Sequence, residues 1–315
     1  MWRQVRFGRN RDIVGLVEEP AAQEHRTLIV TLPGFGQAMS EKNYLFSNLR
    51  KRLAASGAWV VQFDYRGHGD SAGELGQTTV SSMVRDTLEV VEEVTAGHRP
   101  DTIFFVGNAL GAMVALRSAL AWEELSGITC RPVLLSPPAM PLPRSGELLD
   151  AGALNALARE GSVDSQLLVP GYDYYTLSDF DMDQVGYLAS LGAHLLYLHG
   201  QCIGRAMLDE LDALSEEDLP GAGRPGIAVV CGERDTEALA QWKAVPGAEV
   251  HLLDGVVYYF QHPAAMDQAI EIIAGIVLHG QGECSHSCAA CPCGRGRINR
   301  AGSNLTGSNG IEVNL

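Results

Sequence analysis

The sequence predicts an α/β protein whose mostly parallel sheet carries helices on both faces. Three features lead there. Apolar runs too continuous for a half-exposed strand alternate with segments of helical period. The runs end in turns bearing glycine or proline. The chain has 315 residues, 46% of them hydrophobic, which is enough to bury one large core.

Taken in order, "TLIVTLPG" (27–34) is an apolar run ending in Pro-Gly, as expected of a strand covered on both faces. "KNYLFSNLRKRLAASG" (42–57) has apolar residues at helical spacing and stops at glycine. "AWVVQFDYRGHGDS" (58–71) is a strand entering a polar glycine loop, and "TTVSSMVRDTLEVVEEVTAG" (78–97) is an amphipathic helix. Strand "DTIFFVG" (101–107), helix "ALGAMVALRSALAWEEL" (109–125) and strand "RPVLLSPP" (131–138) follow. Residues 139–220 break the alternation with short helical pieces, glycines, prolines and the run "GYDYYTLSDFDMD". They read as an insertion, a lid over the carboxyl ends of the strands, where ligands bind in such sheets. The strand–helix order resumes with "GIAVVCGERD", "EALAQWKAV", "EVHLLDG" and "AAMDQAIEIIAGIVLHG", ending near residue 280. From 281 to 315 the chain is rich in glycine, serine and asparagine and reads as a flexible tail.

The formal charge is −15, so nothing favours nucleic acid phosphates or anionic lipid. The opening "MWRQVRFGRNRD" lacks the apolar core of a signal peptide. The longest helical apolar stretch, "AIEIIAGIVL", carries a glutamate and is too short to span a bilayer. A cytoplasmic protein is expected. Cys130, Cys202 and Cys231 lie in apolar or mixed segments and are expected to be reduced and buried.

Four motifs, in order along residues 27–280, carry a family resemblance. They are "LPGFG" (32–36), "FDYRGHGDSAG" (63–73), "VGNALG" (106–111) and "GERD" (232–235). With them the chain resembles the α/β-hydrolase superfamily, especially its serine-aminopeptidase and lysophospholipase-like members, and a short variant found near exosortase systems. The resemblance implies an α/β-hydrolase fold with a lid. It also implies a serine nucleophile on a strand-to-helix elbow, a histidine base, an acid, and backbone donors for an oxyanion.

The sequence keeps only part of that machinery. Ala109 stands at the nucleophile position and has no atom able to attack a carbonyl. Asp235 stands at the acid position and equally suits a helix N-cap, with Glu233 a weaker rival. Tyr258 fills the histidine slot, and His262 follows four residues later at the start of the last helix. The donors implied are the amides of Phe35 and Leu110, the latter opening a helix whose dipole favours negative charge. Ser136 ends a strand on the correct edge, either as a substitute hydroxyl or as a turn residue. Ser40, Glu41 and Asn43 follow the loop at 32–36, either as substitutes for the missing catalytic groups or as N-capping residues of the helix at 42–57. His68 and Asp70 lie in a loop that is usually structural in the superfamily. Tyr172, Tyr174 and Tyr175, with Asp173, Asp179, Asp181 and Asp183, either line a pocket or form a solvated acidic face.

The tail places Cys284, Cys288, Cys291 and Cys293 close together, with His286 among them. Four thiolates can make a zinc site, and the alternative is a thiol tail without metal. The hydrolase domain itself calls for no cofactor. Three functions stay open. One is a protein that has lost serine chemistry but binds a small acyl, ester or peptide ligand, with a non-hydrolytic step available to it. The second is a serine hydrolase with alanine in place of its nucleophile, served by Asp235 and His262. The third is a metal- or partner-binding protein acting through the tail.

Overall fold

The computed structural model describes residues 2–19, 26–164, 202–219 and 226–279. The strands there are β1 (Trp2–Phe7), β2 (Ile13–Glu18), β3 (Thr27–Leu32), β4 (Trp59–Phe63), β5 (Thr102–Asn108), β6 (Thr129–Leu135), β7 (Ser162–Asp164), β8 (Cys202–Gly204), β9 (Ile227–Gly232) and β10 (Ala248–Leu253). The helices are α1 (Leu45–Ala54), α2 (Val80–Thr95), α3 (Leu110–Ser126), α4 (Ser145–Leu148), α5 (Ala151–Glu160), α6 (Arg205–Asp212), α7 (Thr236–Ala244) and α8 (Pro263–His279).

Eight strands form one sheet in the order β1-β2-β4-β3-β5-β6-β9-β10. From β4 to β10 neighbours run parallel, while β2 pairs antiparallel with both β1 and β4. The α/β expectation holds, and the sequence reading missed the first hairpin. Strand β1 has an exposed, charged outer edge and buries only Phe7 fully, so it lacks the apolar run that marks the inner strands.

Alternation explains the inner strands. On β5, Ile103 and Phe105 face a core shared with α2 and α3, while Phe104 and Val106 face a second core shared with α1 and α8. A strand between two helical layers buries both sets of side chains. Helix α2 starts at a capping box in which the Thr79 hydroxyl accepts from Ser82 N–H and the Ser82 hydroxyl accepts from Thr79 N–H. Helix α3 stops at Gly127, whose left-handed φ of 67° lets its N–H donate to Glu123 O. The helix expected from residue 42 begins at Leu45, because Asn43 and Tyr44 adopt left-handed φ values.

Within 139–220 the described residues form α4, α5, the antiparallel β7–β8 pair and α6. Residues 165–201, including the expected tyrosine and aspartate run, lie outside them. Cys130 and Cys231 are buried as expected, but Cys202 is exposed, because it opens the short strand β8 at the surface. No helix among the described residues is long and apolar enough to cross a membrane. The chain divides into two units, Met1–Gln281 and Gly282–Leu315. Cys284, Cys288, Cys291 and Cys293 fall in the second, outside the described residues.

Candidate active site

The carboxyl ends of β3, β4, β5 and β9 carry the four motifs. At the end of β5, Ala109 has φ 50° and ψ −119°, a conformation that costs a non-glycine residue about 1–3 kcal/mol. Its N–H donates to Leu135 O at 3.0 Å, and α3 begins at the next residue. The flanking glycines are required by packing. A Cβ at Gly107 would stand 2.0 Å from Gly111 O, and one at Gly111 would stand 2.2 Å from Leu32 O. The elbow is therefore built in full around a side chain with no nucleophile.

The loop after β3 lies against this elbow, since a Cβ built on Gly34 would be 3.8 Å from Ala109 Cβ. Two buried side chains fasten the loop. Gly34 N–H donates to Glu41 Oε2 at 2.8 Å, and Gly36 N–H donates to His68 Nε2 at 3.0 Å. Both neighbours of Phe35 are thus tied down, while Phe35 N–H meets no acceptor among the described residues. Leu110 N–H, at the first turn of α3, is likewise unclaimed by a helical carbonyl.

His68 accepts through Nε2, so it is the neutral tautomer with its other nitrogen toward Arg66 O. Burial lowers its pKa from 6.5 to about 4. Its ring also meets Phe35 edge-on, with centroids 5.7 Å apart. The loop that carries it is held in turn. Asp64 accepts from Met39 N–H and Asp70 N–H, and a side chain on Gly69 would collide with that carboxylate. Arg66 pairs with Asp12, Asp86 and Glu89, tying the N-terminal hairpin to α2.

Glu41 does more than cap. Its Oε1 accepts from Lys42 N–H at 2.8 Å, as a capping carboxyl would, but Oε2 reaches back to Gly34. The residue is 4% exposed, and burial raises its pKa despite those two N–H donors and the Asn108 amide. Nothing in the pattern "SEKN" signalled that reach.

On the far side, Asp235 caps α7, its Oδ1 accepting from Ala238 N–H at 3.3 Å. Burial raises its pKa. Tyr258 is buried nearby, and burial together with the Asp235 charge pushes its phenol well above the ordinary value. His262 is exposed, and its Nδ1 accepts from Ala264 N–H at 3.1 Å, so it serves the start of α8. Ser136, just after β6, has φ 43° and a buried hydroxyl with no partner among the described residues. No group of three or more His, Cys, Asp or Glu among the described residues is placed to hold a metal.

The family model for serine aminopeptidase S33 matches residues 23–213. Among known proteins, the mitochondrial palmitoyl-protein thioesterase ABHD10 of Rattus norvegicus is 24% identical over 153 residues, 39% of this chain and 50% of that protein. The chain thus matches only half the length of that relative. Among solved structures, ABHD10 from mouse superposes with a TM-score of 0.54 at 16% identity, covering 88% of this chain and 98% of that one. Est1E from Butyrivibrio proteoclasticus, with ferulic acid bound, gives 0.57 at 16% identity, covering 85% and 94%. At such identities the likeness is one of fold, and it agrees with the sheet order and the four motifs. The chain belongs to the serine aminopeptidase S33 family of α/β-hydrolases.

Proposed function

We propose that the chain binds a small acyl, ester or thioester ligand against the elbow without forming an acyl-enzyme, and that any chemistry there is non-hydrolytic. One observation carries the reading. The loop is anchored at Gly34 and Gly36 while Phe35 N–H has no acceptor among the described residues, beside an elbow whose costly backbone carries a side chain that cannot attack. Preorganised N–H donors in a dry site are where a polarised carbonyl gains most. Tyr258, whose phenol is kept protonated by burial and by the Asp235 charge, stands in the histidine slot of the resemblance. The rat relative's name, a palmitoyl-protein thioesterase, makes acyl thioesters the first ligand class to try.

The test compares the wild type with Ala109→Ser. Octanoyl-N-acetylcysteamine is titrated calorimetrically, and p-nitrophenyl octanoate hydrolysis and fluorophosphonate labelling are followed in parallel. The expected outcome is saturable binding by the wild type and neither turnover nor label in the serine variant, since no base is in register to activate it. Turnover by Ala109→Ser at 10³-fold or more above wild type would instead support an alanine-substituted serine hydrolase.

A further inference from the structure

We infer that Glu41 is the proton-transferring carboxyl of this site, acting on the carbon next to the carbonyl of a bound acyl thioester. The inference rests on the acyl-ligand reading above and adds a residue to it.

Three observations converge. First, position: a Cβ built on Gly34 would lie 3.8 Å from Glu41 Oε2 and 3.8 Å from Ala109 Cβ, so the carboxyl and the elbow flank the same glycine. Second, strain: Glu41, Asn43 and Tyr44 have φ values of 60°, 55° and 60°. Three left-handed non-glycine residues within four positions cost about 1–2 kcal/mol each. A surface capping turn needs none of them, and conformations of this kind gather at functional sites. Third, unspent polar atoms: Asn108 Oδ1 and the Tyr65 hydroxyl are buried with no hydrogen-bond partner among the described residues. Asn108 precedes the elbow and its amide favours the Glu41 carboxylate, while the Glu41 charge acts on Tyr65. Asn108 is 7% exposed and Tyr65 fully buried, so each atom calls for a polar partner that the described residues do not provide.

A carboxyl in this setting is a fit base. Its two backbone donors fix its orientation, and desolvation strengthens its basicity. In the step inferred, the Cα–H bond of the ligand breaks and the proton moves to Glu41. The electron pair of that bond forms the Cα=C bond, and the carbonyl π pair moves onto oxygen, facing the Phe35 and Leu110 amides. Reversal returns the proton from Glu41 to carbon. No oxidant or co-reactant is consumed. Thioesters suit the step better than oxygen esters because their α-hydrogens are more acidic.

Two readings test it on the intact chain. Bromoacetyl-N-acetylcysteamine presents an electrophilic carbon where the α-carbon would lie. A Glu41 oxygen displaces bromide there and leaves an ester that peptide mapping locates. The expected result is an adduct at residue 41 of the wild type, reduced at least tenfold by excess octanoyl-N-acetylcysteamine and absent from Glu41→Gln and Glu41→Ala. In deuterium oxide, deuterium then enters C2 of the octanoyl thioester with wild type and at least 100-fold more slowly with Glu41→Gln. Wild-type labelling needs no variant to fold, and Glu41→Asp checks that the loop survives a shorter carboxyl. If the octanoyl thioester binds but the adduct forms at Asp235 or Tyr258, or residue 41 labels without protection, or no deuterium enters C2, this inference falls and the acyl-ligand reading stands. If the thioester does not bind at all, both fall.

Discussion

At the scale of single residues, the loop that faces the elbow is set by two buried side chains from different segments. His68 can accept from Gly36 N–H only while its Nε2 is unprotonated. Its folded-state pKa, about 4, lies below its ordinary 6.5. A histidine depressed in this way contributes full stability above about pH 6.5 and loses it as the pH falls toward 4, where the unfolded chain binds the extra proton. Glu41, Asp64, Asp86 and Asp235 shift the other way, but they do so in wild type and variant alike. The difference in unfolding free energy between wild type and His68→Gln should therefore shrink by up to roughly 3 kcal/mol from pH 7 to pH 4. Urea melts across that range measure it, and a difference independent of pH would contradict a buried neutral imidazole. Neither residue's role was legible in the sequence. "SEKN" is an ordinary capping pattern, and the reach from Glu41 to Gly34 depends on left-handed turns that tertiary packing imposes. The histidine stood in a motif read as structural, which is how it acts, but its partner Gly36 is 32 residues away in the chain.

Among elements, the strand-to-helix elbow was the most legible, because its glycines answer to local sterics. Close approach of α3 to β3 leaves no room for a Cβ at Gly111. Gly111→Ala should destabilise the fold by about 3 kcal/mol or more, because backbone rather than a flexible side chain must yield. Denaturant midpoints measure this, and a loss below about 1 kcal/mol would mean that α3 is not held so closely. Strands β3, β5, β6 and β9 were legible for a related reason: burial on both faces demands unbroken apolar runs. The β1–β2 hairpin was not, since "WRQVRF" buries one end and exposes its charges; the hairpin is held by β2 pairing with β4, by Phe7, Ile13 and Val17 in the core, and by Asp12 pairing with Arg66. The start of α1 was misplaced by three residues because residues 43 and 44 leave the helical region. Of the two readings the sequence allowed for Asp235, the N-cap is the one seen, its carboxylate accepting from Ala238 N–H at the start of α7.

Over the whole molecule, the carboxyl edge of the sheet carries the Phe35 amide, for which the described residues offer no acceptor, the helix start at Leu110 and, across Gly34, the buried carboxyl of Glu41. The four tail cysteines belong to the unit after Gln281 and lie outside the described residues. That residue 109 is alanine is plain from the sequence, whereas the arrangement of its surroundings required the three-dimensional structure. Whether those surroundings still polarise a carbonyl is measurable with [1-¹³C]octanoyl-N-acetylcysteamine bound to the wild-type chain. If the amides of Phe35 and Leu110 engage the thioester oxygen, the bound carbonyl resonance moves downfield of the free ligand and no acyl-enzyme signal accumulates. A bound resonance at the free position, or a ligand that does not bind, would contradict the account.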